Sequence, residues 1–158
     1  MEIRRATVTD IADVIRFHEK LYIDYINSVT TESQRSFSAM KKPATVLKED
    51  VDYMLRHPKS FAVFLAEQED VVGYISGHVD HDPRRHHSKK GVVGDWYVAP
   101  TYRGSGQGAT LMKALEDWFR SQNCSCIESS TWSDNQLARA AHSALGFEDA
   151  RITMRKKL

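Results

Sequence analysis

Nothing in this sequence stays apolar for the roughly 20 residues that a bilayer span requires. Nor does its charge lean to one side: 22 Lys and Arg face 21 Asp and Glu, a net charge of +1. A protein that grips nucleic acid through its phosphates needs a basic excess, so that role is not expected. The opening "MEIRRATVTD" is charged from its second residue and lacks the apolar centre of a secretory signal. Cysteine is scarce. Cys124 and Cys126 are the only two and stand one residue apart, too close for an ordinary structural disulfide. Reduced thiols and a cytoplasmic location are therefore expected. Internal repeats and low-complexity linkers are also missing, and 158 residues suit one domain spanning 1–158.

What is present reads as alternating strands and helices. Residues 2–6 form a short first strand, and "TVTD" supplies capping side chains for a helix over 11–26. Ile11, Val14, Ile15, Leu21 and Tyr22 make its buried stripe. Residues 28–43 are polar and predict a loop or cover. A second helix, "LKEDVDYMLRH", stops at Pro58. "SFAVFLAEQ" and "VVGYISGHV" form a hairpin turning at "EQED", a loop covers 80–91, and "VVGDWYV" is the next strand. Then comes a helix over 109–123, with Leu111, Met112, Leu115, Trp118 and Phe119 on one face and Asn123 suited to its left-handed end. Residues 124–132 predict a strand, "NQLARAAHSAL" a helix ended by Gly146, and the tail one or two last strands. Hairpins followed by a β-α-β unit imply an α+β domain, a mixed central sheet with helices on both faces.

Glycine is concentrated in "YRGSGQGATL", where three of the eight glycines fall within five residues. A Walker loop would need a lysine after the last glycine, but Ala109 and Thr110 follow Gly108. Gly104, Gly106 and Ala109 satisfy a dinucleotide pattern, with Glu128 at the spacing of a ribose-binding acid. Only 30 residues follow Glu128, too few to complete a doubly wound sheet. Arg103, Gly106 and Gly108 together read R-x-x-G-x-G at the start of a long helix. Converging backbone N–H groups and the positive end of that helix suit a pyrophosphate, with Arg103 adding a charged donor. A plain turn that binds nothing is the competing reading, although such a turn needs one glycine at most.

"DWYVAPTYRGSGQGATLMKAL" resembles the acetyl-CoA motif of the GCN5-related N-acetyltransferases, R/Q-x-x-G-x-G/A after a strand. "NQLARAAHSALGF" is similar to the family's second motif, with Asn135, Ala138, Gly146 and Phe147 in register, and "EIRRATVTDIADV" to its first strand and helix. The resemblance implies that fold, and acetyl transfer from acetyl-CoA to a primary amine by direct attack in a ternary complex, without a metal. It assigns the cofactor to Tyr97, Val98, Arg103, Gly104, Ser105, Gly106, Gln107, Gly108, Ala109 and Asn135. The N–H groups around Val98 would receive the oxyanion.

Two departures from the pattern concern the chemistry. The family's usual tyrosine, which protonates the departing thiolate, is His142 here. His142 lies on one helical stripe with Asn135 and Ala138, and a histidine half-buried against the sheet is the alternative. Some aminoglycoside 6'-N-acetyltransferases resemble the chain here, with a histidine before the same "ALGFE". The family's usual strand glutamate is Gly94 here, and the adjacent Asp95 matches an acid of several branches, polyamine acetyltransferases among them. Strand alternation would put Asp95 and Tyr97 on a face that Gly94 does not share. Asp95 is thus the candidate for binding the amine or receiving its proton, and a structural strand-end acid is the alternative. "SDNQ" fits a capping box built on Ser133 and Gln136, which leaves Asn135 for the cofactor. His81, His86 and His87 lack ligand spacing and read as a solvated loop that steers the cofactor or borders the acceptor. Trp132 suits core or site wall. A small-molecule acceptor is expected, its determinants in residues 20–45 and 80–91. Peptide N-acetylation and a non-catalytic CoA-binding module are the alternatives, and a homodimer is compatible with the resemblance.

Overall fold

A computed structural model describes residues 1–28 and 31–158. Its five strands are β1 (Glu2–Arg5), β2 (Phe61–Glu67), β3 (Val71–His81), β4 (Lys89–Val98) and β5 (Cys126–Glu128). They lie in the sheet in sequence order, antiparallel from β1 to β4, with β5 parallel to β4. A parallel neighbour needs a crossover, and α4 (Gln107–Ser121) supplies it. The mixed sheet carries helices on both faces, as expected.

Alternation along β2 shows how the two faces divide. Ala62 and Ala66 pack beneath α4 with Ile75 and Val93, whereas Val63 and Leu65 face α1 (Ile11–Ser28) and α3 (Pro43–Arg56). The α4 stripe Leu111, Met112, Leu115, Trp118 and Phe119 is buried as the periodicity predicts. Each such side chain contributes roughly 1.5–3 kcal/mol on leaving water. Phe119 sits in a slot with no room to spare. A Cβ on Gly91 would fall 2.4 Å from its ring, and one on Gly77 would fall 2.7 Å away. These two glycines on adjacent strands let the helix approach the sheet and thereby position its N-terminus.

Several local expectations need correction. In α1 the buried residues are Val14 and Phe17, and Phe17 was outside the expected stripe. Its ring meets Tyr74 and Tyr97, so packing recruited a position that spacing did not. The polar span 28–43 holds a helix, α2 (Glu32–Ser38), capped by Thr31, whose hydroxyl accepts from the Gln34 amide; positions 29 and 30 of that expected loop lie outside the described residues. α3 begins at Pro43, where a proline costs no hydrogen bond. β3 and β4 extend into the expected 80–91 loop and leave only 82–88 as a connection. β5 covers only Cys126–Glu128, and residues 148–158 contain no strand. The "TVTD" cap is present: Thr7 and Asp10 form a reciprocal box, and Arg4 holds Asp10 through two hydrogen bonds. Asn123 at φ +61° and Gly146 at φ +85° end α4 and α5 (Gln136–Ala144).

Candidate active site

The end of β4 is the place where the sheet opens. Its pairing with β5 stops at Val92 opposite Glu128, yet β4 continues to Val98. On the other side β3 stays paired to the strand end: the Ala99 amide donates to Val72 O at 2.8 Å. Alternation then turns the Tyr97 backbone to β3 and the Val98 backbone to the open edge. The Val98 carbonyl lies on that edge and accepts from Arg103 Nε at 2.9 Å. The Val98 N–H points the same way, available to an incoming carbonyl.

Immediately beyond lies the glycine loop. Gly104 and Gly106 have φ of +80° and +89°, and nothing lies within 4 Å of where a Cβ would stand on either. Gly106 is the N-cap of α4, and no side chain caps that helix. The first intrahelical bond runs from the Thr110 amide to Gly106 O, so the amides of Gln107, Gly108 and Ala109 have no acceptor within the helix. The result is a concave run of backbone donors at the positive end of a 15-residue helix. Gly108 has a different reason for lacking a side chain: its Cβ would press on the Trp96 indole at 3.2 Å. Trp96 Nε1 and Gln107 Oε1 are buried without a hydrogen-bond partner among the described residues. A donor and an acceptor left unmatched beside this loop are consistent with a polar ligand there.

Three expected cofactor residues are engaged otherwise. Arg103 does not project over the loop: its Nη2 donates to Asp24 of α1 at 3.2 Å, and its guanidinium lies over the Tyr97 ring. It therefore ties the loop to α1 and β4. Tyr97 is a core residue, 5% exposed. Burial, then the nearby Asp24 carboxylate, raises its phenol above the usual range. Asn135 is the N-cap of α5, its Oδ1 accepting from the Ala138 amide at 3.1 Å. The expected capping box on Ser133 and Gln136 does not form: Asn135 is the cap, and the helix starts at Gln136. The Ser105 hydroxyl donates to Tyr102 O and steadies the turn.

His142 is half-buried on α5, wedged edge-on between the Trp96 and Phe147 rings. Its Nδ1 lies 2.7 Å from Ala138 O, and its Nε2 lies 2.7 Å from Ser129 Oγ. A carbonyl only accepts, so Nδ1 carries a proton and Nε2 meets the hydroxyl. Ser129 follows the last residue of β5, where the two strands part. No sequence motif marks it.

Asp95 stands on the other side of the sheet, at a bulge. Ile75 pairs with Trp96 and Gly77 with Val93, so Ser76 faces both Gly94 and Asp95. The extra residue overturns strict alternation: Gly94 and Asp95 address the same α1/α3 face. A Cβ on Gly94 would meet Ser76 Oγ at 2.9 Å. Ser76 Oγ donates to Asp95 Oδ2 at 2.9 Å and accepts from the Asp95 amide at 3.0 Å. His18 of α1 completes the group, with Nδ1 2.9 Å from Tyr74 Oη and 3.3 Å from Asp95 Oδ2. Burial depresses the His18 imidazole, but hydrogen bonding and attraction to Asp95, helped by Asp50 and Glu19, leave it above its ordinary value. Burial, with the Asp95 charge, keeps the Tyr74 phenol un-ionised well beyond its usual range. His18 was not anticipated, because a lone histidine in an amphipathic helix carries no motif. The 82–88 loop joins the opposite end of β4, about 30 Å of extended strand from the glycine loop. Among the described residues, no cluster of three His, Cys, Asp or Glu is placed to hold a metal, and no helix is long and apolar enough to cross a membrane.

Comparison with known proteins gives this geometry a lineage. The profile of the acetyltransferase (GNAT) family matches residues 25–147. An aminoglycoside N(6')-acetyltransferase type 1 of Stenotrophomonas maltophilia is 37% identical over 92 residues, which is 56% of this chain and 60% of that relative. The chain thus matches less than two thirds of that relative's length. Among solved structures, AAC(6')-Iy in complex with the bisubstrate analog CoA-S-monomethyl-acetylneamine superimposes with a TM-score of 0.78. Its identity is 20%, over 99% of this chain and 97% of that one. A mutant of the Bacillus halodurans BH1408 protein reaches 0.84 at 22% identity, over 100% and 99%. The profile covers most of the chain, including the glycine loop, the open edge of β4 and α5; the chain belongs to the GNAT acetyltransferase family.

Proposed function

We propose that the protein is an acetyl-CoA-dependent N-acetyltransferase acting on a primary amine of a small molecule, of the aminoglycoside or polyamine class. The observation that carries this reading is the uncapped N-terminus of α4, with the open backbone of Gly104 and Gly106, beside the unpaired end of β4. Acetyl-CoA supplies an activated acetyl thioester when bound. The amides from Gly104 to Ala109 hold its pyrophosphate. The N–H of Val98 receives the negative charge that develops on the carbonyl oxygen, where one such donor is worth several kcal/mol. Asn135, with its oxygen spent on the helix cap, retains only its amide NH₂ for the cofactor.

The departing sulfur needs a proton. His142 cannot offer Nε2 directly, because Ser129 Oγ already lies on it. In the protonated state Nε2–H donates to Ser129 Oγ, and the serine hydroxyl is released to donate to sulfur. Ser129 would give its hydroxyl proton to the departing sulfur and take the imidazolium proton, leaving His142 neutral with Nδ1–H still on Ala138 O. Ser129 then takes the role that the family pattern gives to a tyrosine hydroxyl.

The test is CoA release across amines: kanamycin, spermidine and a lysine-bearing peptide. Turnover with kanamycin or spermidine is expected. Release confined to the peptide would move the assignment to peptide N-acetylation. Release that no amine raises above spontaneous hydrolysis would defeat the enzymatic reading.

A further inference from the structure

The face of the sheet opposite α4 has a cavity of about 300 Å³, open between α1, α3 and the β4 bulge. His18, Asp50, Tyr53, Phe61, Ser76 and Asp95 line it. Its chemistry is that of a cation site: two carboxylates from different elements, with aromatic rings between them. Asp50 is exposed at its mouth, and Asp95 is held at its floor by Ser76.

His18 gives the cavity a direction. Both neighbours of its Nδ1 are a carboxylate and an un-ionised phenol. A carboxylate can only accept, and the Tyr74 hydroxyl has Asp95 to donate to, so the proton shared with this pair is assigned to Nδ1. The basic lone pair is thereby left on Nε2, which is buried and has no partner among the described residues. Buried polar atoms in native proteins are nearly always satisfied, so an orphaned nitrogen on a residue that lines a cavity calls for a partner supplied through that cavity. An alkylammonium is such a partner. The arrangement is that of a base held in one tautomer by an acid, with its second nitrogen free.

We propose that this cavity receives the ammonium group of the acceptor, and that His18 Nε2, positioned by Asp95, takes the proton the amine must lose. This rests on the acetyl-transfer reading above. The ammonium gives one proton to His18 and becomes a neutral amine. Its lone pair forms the C–N bond while the C–S bond breaks. Of the two protons that leave the nitrogen, one passes from His18 to solvent and the other replaces the proton taken by the thiolate. Asp95 is a positioning residue here. The groups facing His18 are Asp95 from β4, Tyr74 from β3, Asp50 from α3 and Glu19 on its own helix; Tyr53 and His78 share the cavity. Their carboxylates outweigh burial and hold the imidazole above its ordinary value.

The experiment has two arms on the whole chain. In the first, kanamycin and spermidine are titrated without acetyl donor while the His18 ring protons are followed by NMR. They are identified by their loss in His18→Gln, or by their response in Asp95→Asn should that variant not fold. A saturable shift with one amine is expected, with affinity about five- to tenfold weaker in Asp50→Asn, an exposed substitution that spares the core. His18 resonances that ignore both amines overturn the cavity assignment, whether or not the chain turns over. In the second arm, kcat/KM is measured against pH with the best amine. The wild type should lose activity on its acidic limb as His18 protonates. Asp95→Asn should move that limb to lower pH, and His18→Gln should remove it, with a loss on the order of 10²-fold and unchanged acetyl-CoA affinity. A limb that persists unchanged in either variant overturns His18 as the base. Absence of CoA release with every amine defeats the base together with the acetyl-transfer reading, and the cavity then stands or falls on the first arm.

Discussion

Substituting Gly106 separates what the glycine loop does for the fold from what it does for a ligand. Gly106 sits at φ +89° as the N-cap of α4, and the space where a Cβ would stand is empty to 4 Å. An alanine there clashes with nothing, so its whole structural cost is the left-handed backbone, about 1–2 kcal/mol. For a domain of this size that lowers Tm by roughly 2–8 °C, measured by calorimetry. Asparagine tolerates the left-handed region better, so Gly106→Asn should recover part of the loss. The same empty space is where a phosphate must come close to the amides of Gln107 and Gly108. A methyl group there forces the phosphate back from at least one amide, and a hydrogen bond to a charged group is worth about 1.5–3 kcal/mol. CoA affinity, by isothermal titration, should therefore fall about 10- to 100-fold in both variants, independently of how far Tm recovers. CoA binding that is unchanged, or that tracks Tm alone, would refute the claim that these amides hold the pyrophosphate.

Other expectations follow from the same geometry. His142→Gln should lower kcat on the order of 10²-fold with acetyl-CoA affinity nearly unchanged, and Ser129→Ala should match it; unchanged turnover across pH would reduce His142 to a packing residue. The Asp10 carboxyl is lowered to about 2, chiefly by its hydrogen bonds from Arg4. A depressed carboxyl stabilises the fold above its unfolded value near 3.8, and the contribution fades as pH drops from about 4 toward 2. Thermal melts of Arg4→Gln should accordingly show a shallower loss of stability through that window. Gly91→Ala places a methyl group 2.4 Å from the buried Phe119 ring and should cost about 1–3 kcal/mol by overpacking. Denaturant melts of Gly91→Ala, Phe119→Leu and the pair should give a favourable coupling energy; simple additivity would show that the slot is not the cause.

The parts of the fold that were legible are those where one periodicity rules a long segment. In α4, spacing alone picked out all five apolar residues that meet the sheet, because that helix has a single apolar neighbour. In α1 the same method missed Phe17, whose burial depends on Tyr74 and Tyr97, residues brought there by other strands. The glycine loop was legible because its requirement is local: positive φ and bare backbone can be read from residue type. Arg103 could not be read that way. Its partners, Asp24 and the Val98 carbonyl, lie 79 and 5 residues away, and the electrostatic choice between them and a phosphate is made in space. The Ser133 cap failed for a smaller reason, since Ser133 and Asn135 are both good caps and two residues decide which one the helix uses.

The β4 bulge was invisible to pattern, yet it explains the departure at Gly94. Val93 packs beneath α4. Strict alternation from there would send Asp95 into the same apolar layer, among Leu111 and Phe119, where an unpaired carboxylate is prohibitively costly. One extra residue opposite Ser76 resets the phase. It turns Asp95 toward His18 and returns Trp96 to the α4 side, where the indole meets Gly108 and His142. The bulge also leaves no room at position 94. Ser76 Oγ occupies the space of a Cβ there while donating to Asp95, so a glutamate at 94 and the Ser76–Asp95 hydrogen bond exclude one another. The family's usual acid at this position is thus not simply lost. Ser76 takes its space, Asp95 takes its charge, and the base proposed above, His18, stands across the cavity on α1.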